Sequence, residues 1–322
     1  MELDVKTTAA SLRKAVTGLD GPVWAMVESS SIAPFVKDSI EKHVGRVIVC
    51  ETRENRWIAK SENKSDQADA DRLARLLRMG EFKEVHVPRG AGRDRAETLR
   101  LYKRIQGDVT RTKNRIKSKY KEHGIPTKGT AVYNEEKRAD YLKKIKRTKS
   151  RYLVEILYKK LDYDEEVCRS VKSQLISLMK TTREFKRLRT IPGVGEINAA
   201  VFAAVIDDPF RFENKRKLWS YSALGVTQRW SGDPGKAKGR GSKSGNRMMK
   251  HAAMTAANGA LLGDNEFSRH YADMIKNGTD PSMAKRTVAR KILAVVLYLL
   301  KHGGTYEEKE LREEFSATKK TG

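Results

Sequence analysis

The sequence predicts a small α/β domain at the N-terminus, then a long helical arm, then a mostly α-helical C-terminal domain with a helix-hairpin-helix element. Three observations predict it. Helix-like and strand-like segments alternate through the first ~90 residues, long polar helical stretches fill the middle, and the last part is helical around a Gly-x-Gly turn. The expected boundaries are 1–93, 94–187 and 188–305, with a charged tail over 306–322.

In the first segment TTAASLRKAV reads as a helix, PVWAMVE as a buried strand and SIAPFVKDSIEKHV as a second helix. RVIVC follows as a second strand, and a helix runs from Asp66 to Met79. That alternation predicts parallel strands joined by crossover helices. From Asp94 two polar helical stretches, 94–122 and 134–163, are joined by GIPTKGTAVY, and a third runs from Asp164 to Arg187. Tyr141, Ile145, Leu153, Ile156 and Leu157 recur largely at helical spacing, which predicts a helical hairpin or coiled-coil arm. The C-terminal part opens with LRTIPGVGEINAAVFAAVI, and after a loop at 228–243 helices are expected over 244–262, 264–277 and 281–302.

A chain of 322 residues is long enough for two domains with real cores. Its 66 Lys and Arg against 41 Asp and Glu leave a net charge of +25. A folded chain that basic serves a nucleic acid or an anionic membrane, and neither a basic amphipathic anchor nor a lipidation signal is present for the second. The longest apolar run, ILAVVLYLL at 292–300, is about half a membrane span and continues a helical pattern from Ala284, so a buried helix is expected. No signal peptide is read in MELDVKTTAASLRK, and Cys50 and Cys168 have no metal-ligand spacing, which predicts a cytoplasmic chain with reduced thiols. Between Leu101 and Lys160 nineteen Lys and Arg face six Asp and Glu, an excess that favours nucleic-acid contact over a merely solvated face.

Three stretches could carry chemistry. KSDQADADRLARLL, 64–77, places Asp66 and Asp69 three apart on one helix face, while Asp71 points elsewhere. They are either acids favouring a helix start or, with Glu28 at the end of PVWAMVE, the oxygen ligands of a Mg2+ ion. In TIPGVGEINAA, Gly193 and Gly195 form either a tight turn or a phosphate cradle at a helix N-terminus. WSGDPGKAKGRGSKSGNRMMKHAAM, 230–254, sets Ser231, Ser242 and Ser244 among Lys236, Lys238, Arg240, Lys243 and Arg247. It is either a basic loop that touches phosphates or the setting of a serine nucleophile. Ser244 reads as the N-cap of the helix after it.

Together these stretches resemble the DEDD-motif transposases of insertion sequences, bridge-RNA-guided serine recombinases that include the pilin-gene invertase Piv. The resemblance rests on Glu28, then KSDQADA, then IPGVG, ALGVTQ, WSG and SKSGN in that order, over nearly the full chain. It implies a RuvC-like (RNase H-like) N-terminal domain, with Glu28, Asp66 and Asp69 as catalytic Mg2+ ligands and Ser231 as nucleophile. It also implies a noncoding guide RNA, donor and target DNA as substrates, and a homo-oligomer whose sites combine one protomer's carboxylates with another's serine. Two features depart from the family. Asp4 precedes Glu28 by 24 positions, too few for the family's opening strand hairpin, so the RuvC-like domain is expected to be N-terminally truncated or started at an internal methionine. The small-residue turn after the glutamate is SSS here. The competing readings are a catalytically inactive RNA- and DNA-binding remnant and a RuvC-like junction nuclease that uses water.

Overall fold

The computed structural model describes residues 3–51, 66–228, 239–241 and 244–307. The chain divides into two compact units, Met1–Arg89 and Gly90–Gly322.

The first unit contains α1 (Ala9–Thr17), β1 (Trp24–Glu28), α2 (Ala33–Ile40), β2 (Arg46–Cys50) and α3 (Asp66–Met79). Thr8 starts α1 by accepting the Ser11 N–H at its side chain, and Pro34 sits in the first turn of α2, where no backbone donor is lost. The two strands are parallel, in register from Trp24 opposite Arg46 to Glu28 opposite Cys50, with α2 as the crossover. The expected strand–helix–strand unit is therefore present, and among the described residues it is the whole of the parallel sheet. Val47, Ile48, Val49 and Cys50 are buried because β2 has β1 on one edge and residues 83–85 on the other. On that second edge Val85 donates its N–H to Val49 at 2.7 Å and Glu51 donates to Lys83 at 3.1 Å. Helix α1 packs on α2, α2 packs on both strands, and α3 packs on β1.

The second unit begins with two 33-residue helices, α4 (Gly90–Glu122) and α6 (Thr148–Lys180), each ~50 Å long. They run antiparallel, since Tyr120 meets Tyr158 while Thr112 meets Asp164. Between them lie a 3-10 turn at Ala131–Tyr133 and α5 (Glu135–Lys143). The helix breaks differ from those expected. Residues 144–147 interrupt it, whereas 163–164 do not, because Leu161 and Asp164 are both buried on the continuous α6. Of the expected apolar face, Ile145 is buried and Tyr141 and Leu157 pack against the same cluster, whereas two positions differ. Val154, Tyr158 and Leu161 pack with Ile116, Tyr120, Val132 and Ile145, while Leu153 and Ile156 stay exposed. Both sets recur at helical spacing, and only the position of α4 decides between them.

The remaining elements are α7 (Arg183–Leu188), α8 (Glu196–Ile206), α9 (Lys215–Tyr221), β3 (Val226–Gln228), β4 (Gly239–Gly241), α10 (Arg247–Ala260), α11 (Glu266–Lys276) and α12 (Pro281–His302). Helix α12 is the centre of this core, with Ile292, Leu293, Val295 and Val296 fully buried, so the apolar run at 292–300 is spent inside the protein. No helix among the described residues is long and apolar enough to cross a membrane. Helix α10 presents Ala252, Ala253, Ala256, Ala257 and Ala260 inward, and this small-residue face lets α8 and α12 approach closely.

Candidate functional site

The carboxylates of the first unit sit on two elements that pack together. Glu28 ends β1, opposite Cys50, where Ser29 donates its N–H to the Cys50 carbonyl at 2.9 Å. Asp66 is the first residue of α3, and its side chain lies outside the described residues. Asp69, half-exposed, accepts from Arg72 one turn on at 2.8 Å. Hard oxygen donors at a strand end and a helix start are the right chemistry for Mg2+. Among the described residues, however, no three His, Cys, Asp or Glu side chains are grouped to hold a metal ion. The fold brings the two elements that carry Glu28 and Asp69 together.

The IPGVG turn joins α7 to α8, and its two glycines do different work. Gly193 has φ +79°, and a Cβ there would lie 2.1 Å from the Ala256 carbonyl oxygen and 2.3 Å from the Ala260 nitrogen. Its glycine is explained by close packing on α10. Gly195 caps α8, and nothing lies within 4 Å of where its Cβ would be. The turn's open side therefore belongs to Gly195. Glu196, in the first turn of α8, pairs with Arg189 at 3.5 Å. It also lines an open groove of about 410 Å³ whose other wall is α6, with Arg169, Lys172, Ser173, Ser177 and Lys180. Sequence reasoning placed its basic arm at Leu101–Lys160 and missed this wall. The signal was present: positions 169, 172, 173, 176, 177 and 180 are one helix face without a carboxylate.

The third locus is the root of a hairpin. Strands β3 and β4 are antiparallel, with Val226 opposite Gly241 and Gln228 opposite Gly239. The chain between them carries Ser231, Lys236 and Lys238, which lie outside the described residues, as do Ser242 and Lys243; of Arg240 only the backbone in β4 is described. Below the strands, Gly245 adopts φ +130° and slots under the 220–223 turn, where a Cβ would meet the Ala223 nitrogen at 2.7 Å and the Tyr221 carbonyl oxygen at 2.8 Å. Asn246, not Ser244, is the N-cap of α10: its side chain accepts from the N–H groups of Met248 and Met249. Its own N–H donates to the Tyr221 carbonyl at 2.6 Å and its side-chain amide to the Tyr221 hydroxyl at 3.2 Å. Arg247, the first residue of α10, is exposed beside this root. The ALGVTQ and SKSGN segments, separate in sequence, are thereby clamped together.

The turn and the hairpin root share one stretch of chain, whereas the α6 wall of the groove precedes it. Residues 185–272 match the family described as Transposase IS116/IS110/IS902. The matched segment starts within α7, takes in the IPGVG turn, α8, α9, the hairpin and α10, ends within α11, and excludes Glu28, Asp66 and Asp69. The chain is 28% identical over 143 residues to the "Insertion element IS110 uncharacterized 43.6 kDa protein" of Streptomyces coelicolor, covering 44% of this chain and 35% of that protein. It is 26% identical over 226 residues to the "Transposase for insertion sequence element IS1111A" of Coxiella burnetii, covering 68% of this chain and 57% of the relative. The matches thus span about a third and somewhat over half of these two relatives' lengths.

Proposed function

We propose that this chain is a DNA transposase of an insertion sequence, joining and exchanging DNA strands with Ser231 as nucleophile. The observation that carries the reading is that the transposase-domain match falls on the segment folded around the hairpin root, whose strands flank Ser231. In this reading the Ser231 Oγ attacks a phosphodiester, an Oγ–P bond forms as a P–O bond to deoxyribose breaks, and the released hydroxyl takes a proton. The energy of the phosphodiester is kept in the protein–DNA linkage, so a second hydroxyl can reverse the step onto a different strand. Lys and Arg of the loop neutralise charge on the phosphorane. Glu28, Asp66 and Asp69, in a RuvC-like first unit, would hold Mg2+, which when bound supplies further charge stabilisation at the phosphate. Gly195, the basic wall of α6 and the helical pair grip nucleic-acid backbone, including a structured guide RNA. Sites completed between protomers require a homo-oligomer.

A second reading, RNA and DNA binding without chemistry, is favoured by one observation: Asp69 accepts from Arg72 one turn on, as an acid in an ordinary helical ion pair does. One experiment separates the two. The full chain is incubated with Mg2+, structured RNA and a nicked or mismatched DNA substrate that traps a covalent intermediate. A protein–DNA adduct is expected that survives Ser242→Ala and Ser244→Ala and disappears with Ser231→Ala and without Mg2+. An adduct that persists in Ser231→Ala overturns the nucleophile, cleavage without any adduct favours a water-using junction nuclease, and binding without cleavage favours the second reading.

A further inference from the structure

At the base of the hairpin α12 supplies two arginines, Arg286 and Arg290, that no carboxylate among the described residues neutralises. Arg290 is half-buried, and its Nε donates to the Leu224 carbonyl at 2.7 Å. Its own carbonyl accepts from Trp219 Nε1 at 2.8 Å, which fixes α12 against the chain that runs into β3. Arg286 lies one turn earlier on the same helix face. Neither arginine has a carboxylate partner among the described residues, and the remaining guanidinium nitrogens of Arg290 make no hydrogen bond there.

We propose that Arg290 and Arg286 form a phosphate site at the root of the β3–β4 hairpin, holding a backbone phosphate of the DNA on which the hairpin acts. The inference rests on the transposase reading for the identity of its polyanion. A like-charged pair, one member partly desolvated, is costly unless an anion is bound. Burial, and then Arg286, lower the Arg290 pKa, which describes a cation whose neighbours do not compensate it. Holding the Leu224 carbonyl occupies a single donor of the planar fork; the other donors point to bidentate recognition of a phosphate. The position selects DNA. Leu224 is four residues from Gln228, a reach of about 13 Å in extended chain. The loop that starts there carries cations at 229, 236, 238, 240, 243 and 247 against Asp233 alone. A phosphate anchored at Arg290 sits at the foot of a loop with the charge to hold the neighbouring phosphates.

The test reads binding without chemistry, in the 322-residue chain carrying Ser231→Ala. Affinity for a 30-bp DNA duplex of arbitrary sequence is measured against NaCl concentration, beside the melting temperature of the free protein. Arg286→Gln is expected to leave the melting temperature unchanged, weaken binding roughly 3–10-fold and reduce the log–log salt slope by about one, as loss of a single phosphate contact requires. Arg290→Lys keeps the charge and the slope but weakens binding, because an ammonium cannot reproduce the fork. Lys276→Gln, on α11, serves as the equal-charge comparison. If Arg286→Gln and Arg290→Lys both bind as Lys276→Gln does, the site is overturned. If they weaken binding to structured RNA and not to the duplex, the assignment to DNA is overturned. Adduct formation by protein with Ser231 intact is scored separately, so the site and the chemistry can fail independently.

Discussion

Asn246 donates its backbone N–H to the Tyr221 carbonyl at 2.6 Å, and that bond ties the start of α10 to the end of α9. Twenty-four residues lie between them, among them both strands of the hairpin and Ser231. The loop is therefore anchored at both ends by the rigid helical core, with α12 beneath it through Arg290 and Leu224.

Gly245 is the residue that makes this clamp possible. Gly245→Ala places a Cβ in a left-handed backbone and against the 220–223 turn. Strain and overpacking together should cost about 2–4 kcal/mol, a fall in melting temperature of roughly 5–10 °C. A variant that melts within about 1 °C of the parent would show that the root is looser than described.

The two glycines of the IPGVG turn should separate in a stability assay. Gly193→Ala drives a Cβ into the α10 backbone and is expected to cost more than about 3 kcal/mol. Gly195→Ala enters open space and should change stability by less than about 1 kcal/mol while weakening nucleic-acid binding. Equal losses in chemical denaturation would contradict the division of roles.

Stability of the helical pair should depend on acid through Asp164. Burial raises its pKa, but hydrogen bonds from Lys160 and Thr112 outweigh that and hold the carboxyl below its ordinary range. A depressed folded pKa means stability that is present above the unfolded value of about 3.9 and is lost as pH falls through the lower folded value. Asp164→Asn should cost about 1–3 kcal/mol at pH 7 and flatten the loss of stability below about pH 4. Parallel denaturation curves for both proteins from pH 7 to pH 2 would rule the contribution out.

Charge on the α6 wall should set affinity without sequence preference. Replacing Arg169, Lys172 and Lys180 together by Glu should weaken RNA and DNA binding at least tenfold at low salt, alike across sequences, and reduce the salt slope. Unchanged affinity would remove this groove from the binding surface.

Asp66→Ala and Asp69→Ala should each abolish adduct formation and strand exchange while RNA binding persists. The Asp69–Arg72 pair is exposed and one turn apart, so its loss should cost less than about 1 kcal/mol. Normal strand exchange by both variants would leave these aspartates as acids of a helix start and nothing more.

How much of this was legible depends on the range of the interaction. The alternation of PVWAMVE, SIAPFVKDSIEKHV and RVIVC announced a parallel strand pair with a helical crossover, and α3 starts at Asp66 as its acidic first turn suggested. On the arm Tyr141, Ile145 and Leu157 join the buried cluster as their spacing suggests, while Leu153 and Ile156 stay exposed, because they match helical spacing as well as Val154 and Tyr158 do. Ser244 was read as a cap because a serine before a helix is an ordinary one; Asn246 takes the position because Gly245 lets the backbone turn under Tyr221.

The sequence by itself determined the basic character of the chain, the order of its helices and strands, and the motifs that match a transposase domain. These are properties of composition and of neighbours within a few residues, where spacing and local propensity decide. Only the tertiary structure decided that Gly193 serves packing while Gly195 stays open, and that the α6 face walls a groove with Glu196. It also placed Arg290, 66 residues from Leu224, beneath the hairpin that carries Ser231. Such contacts depend on how helices pack across tens of residues, and in this unit the alanine face of α10 and the buried stripe of α12 set that packing.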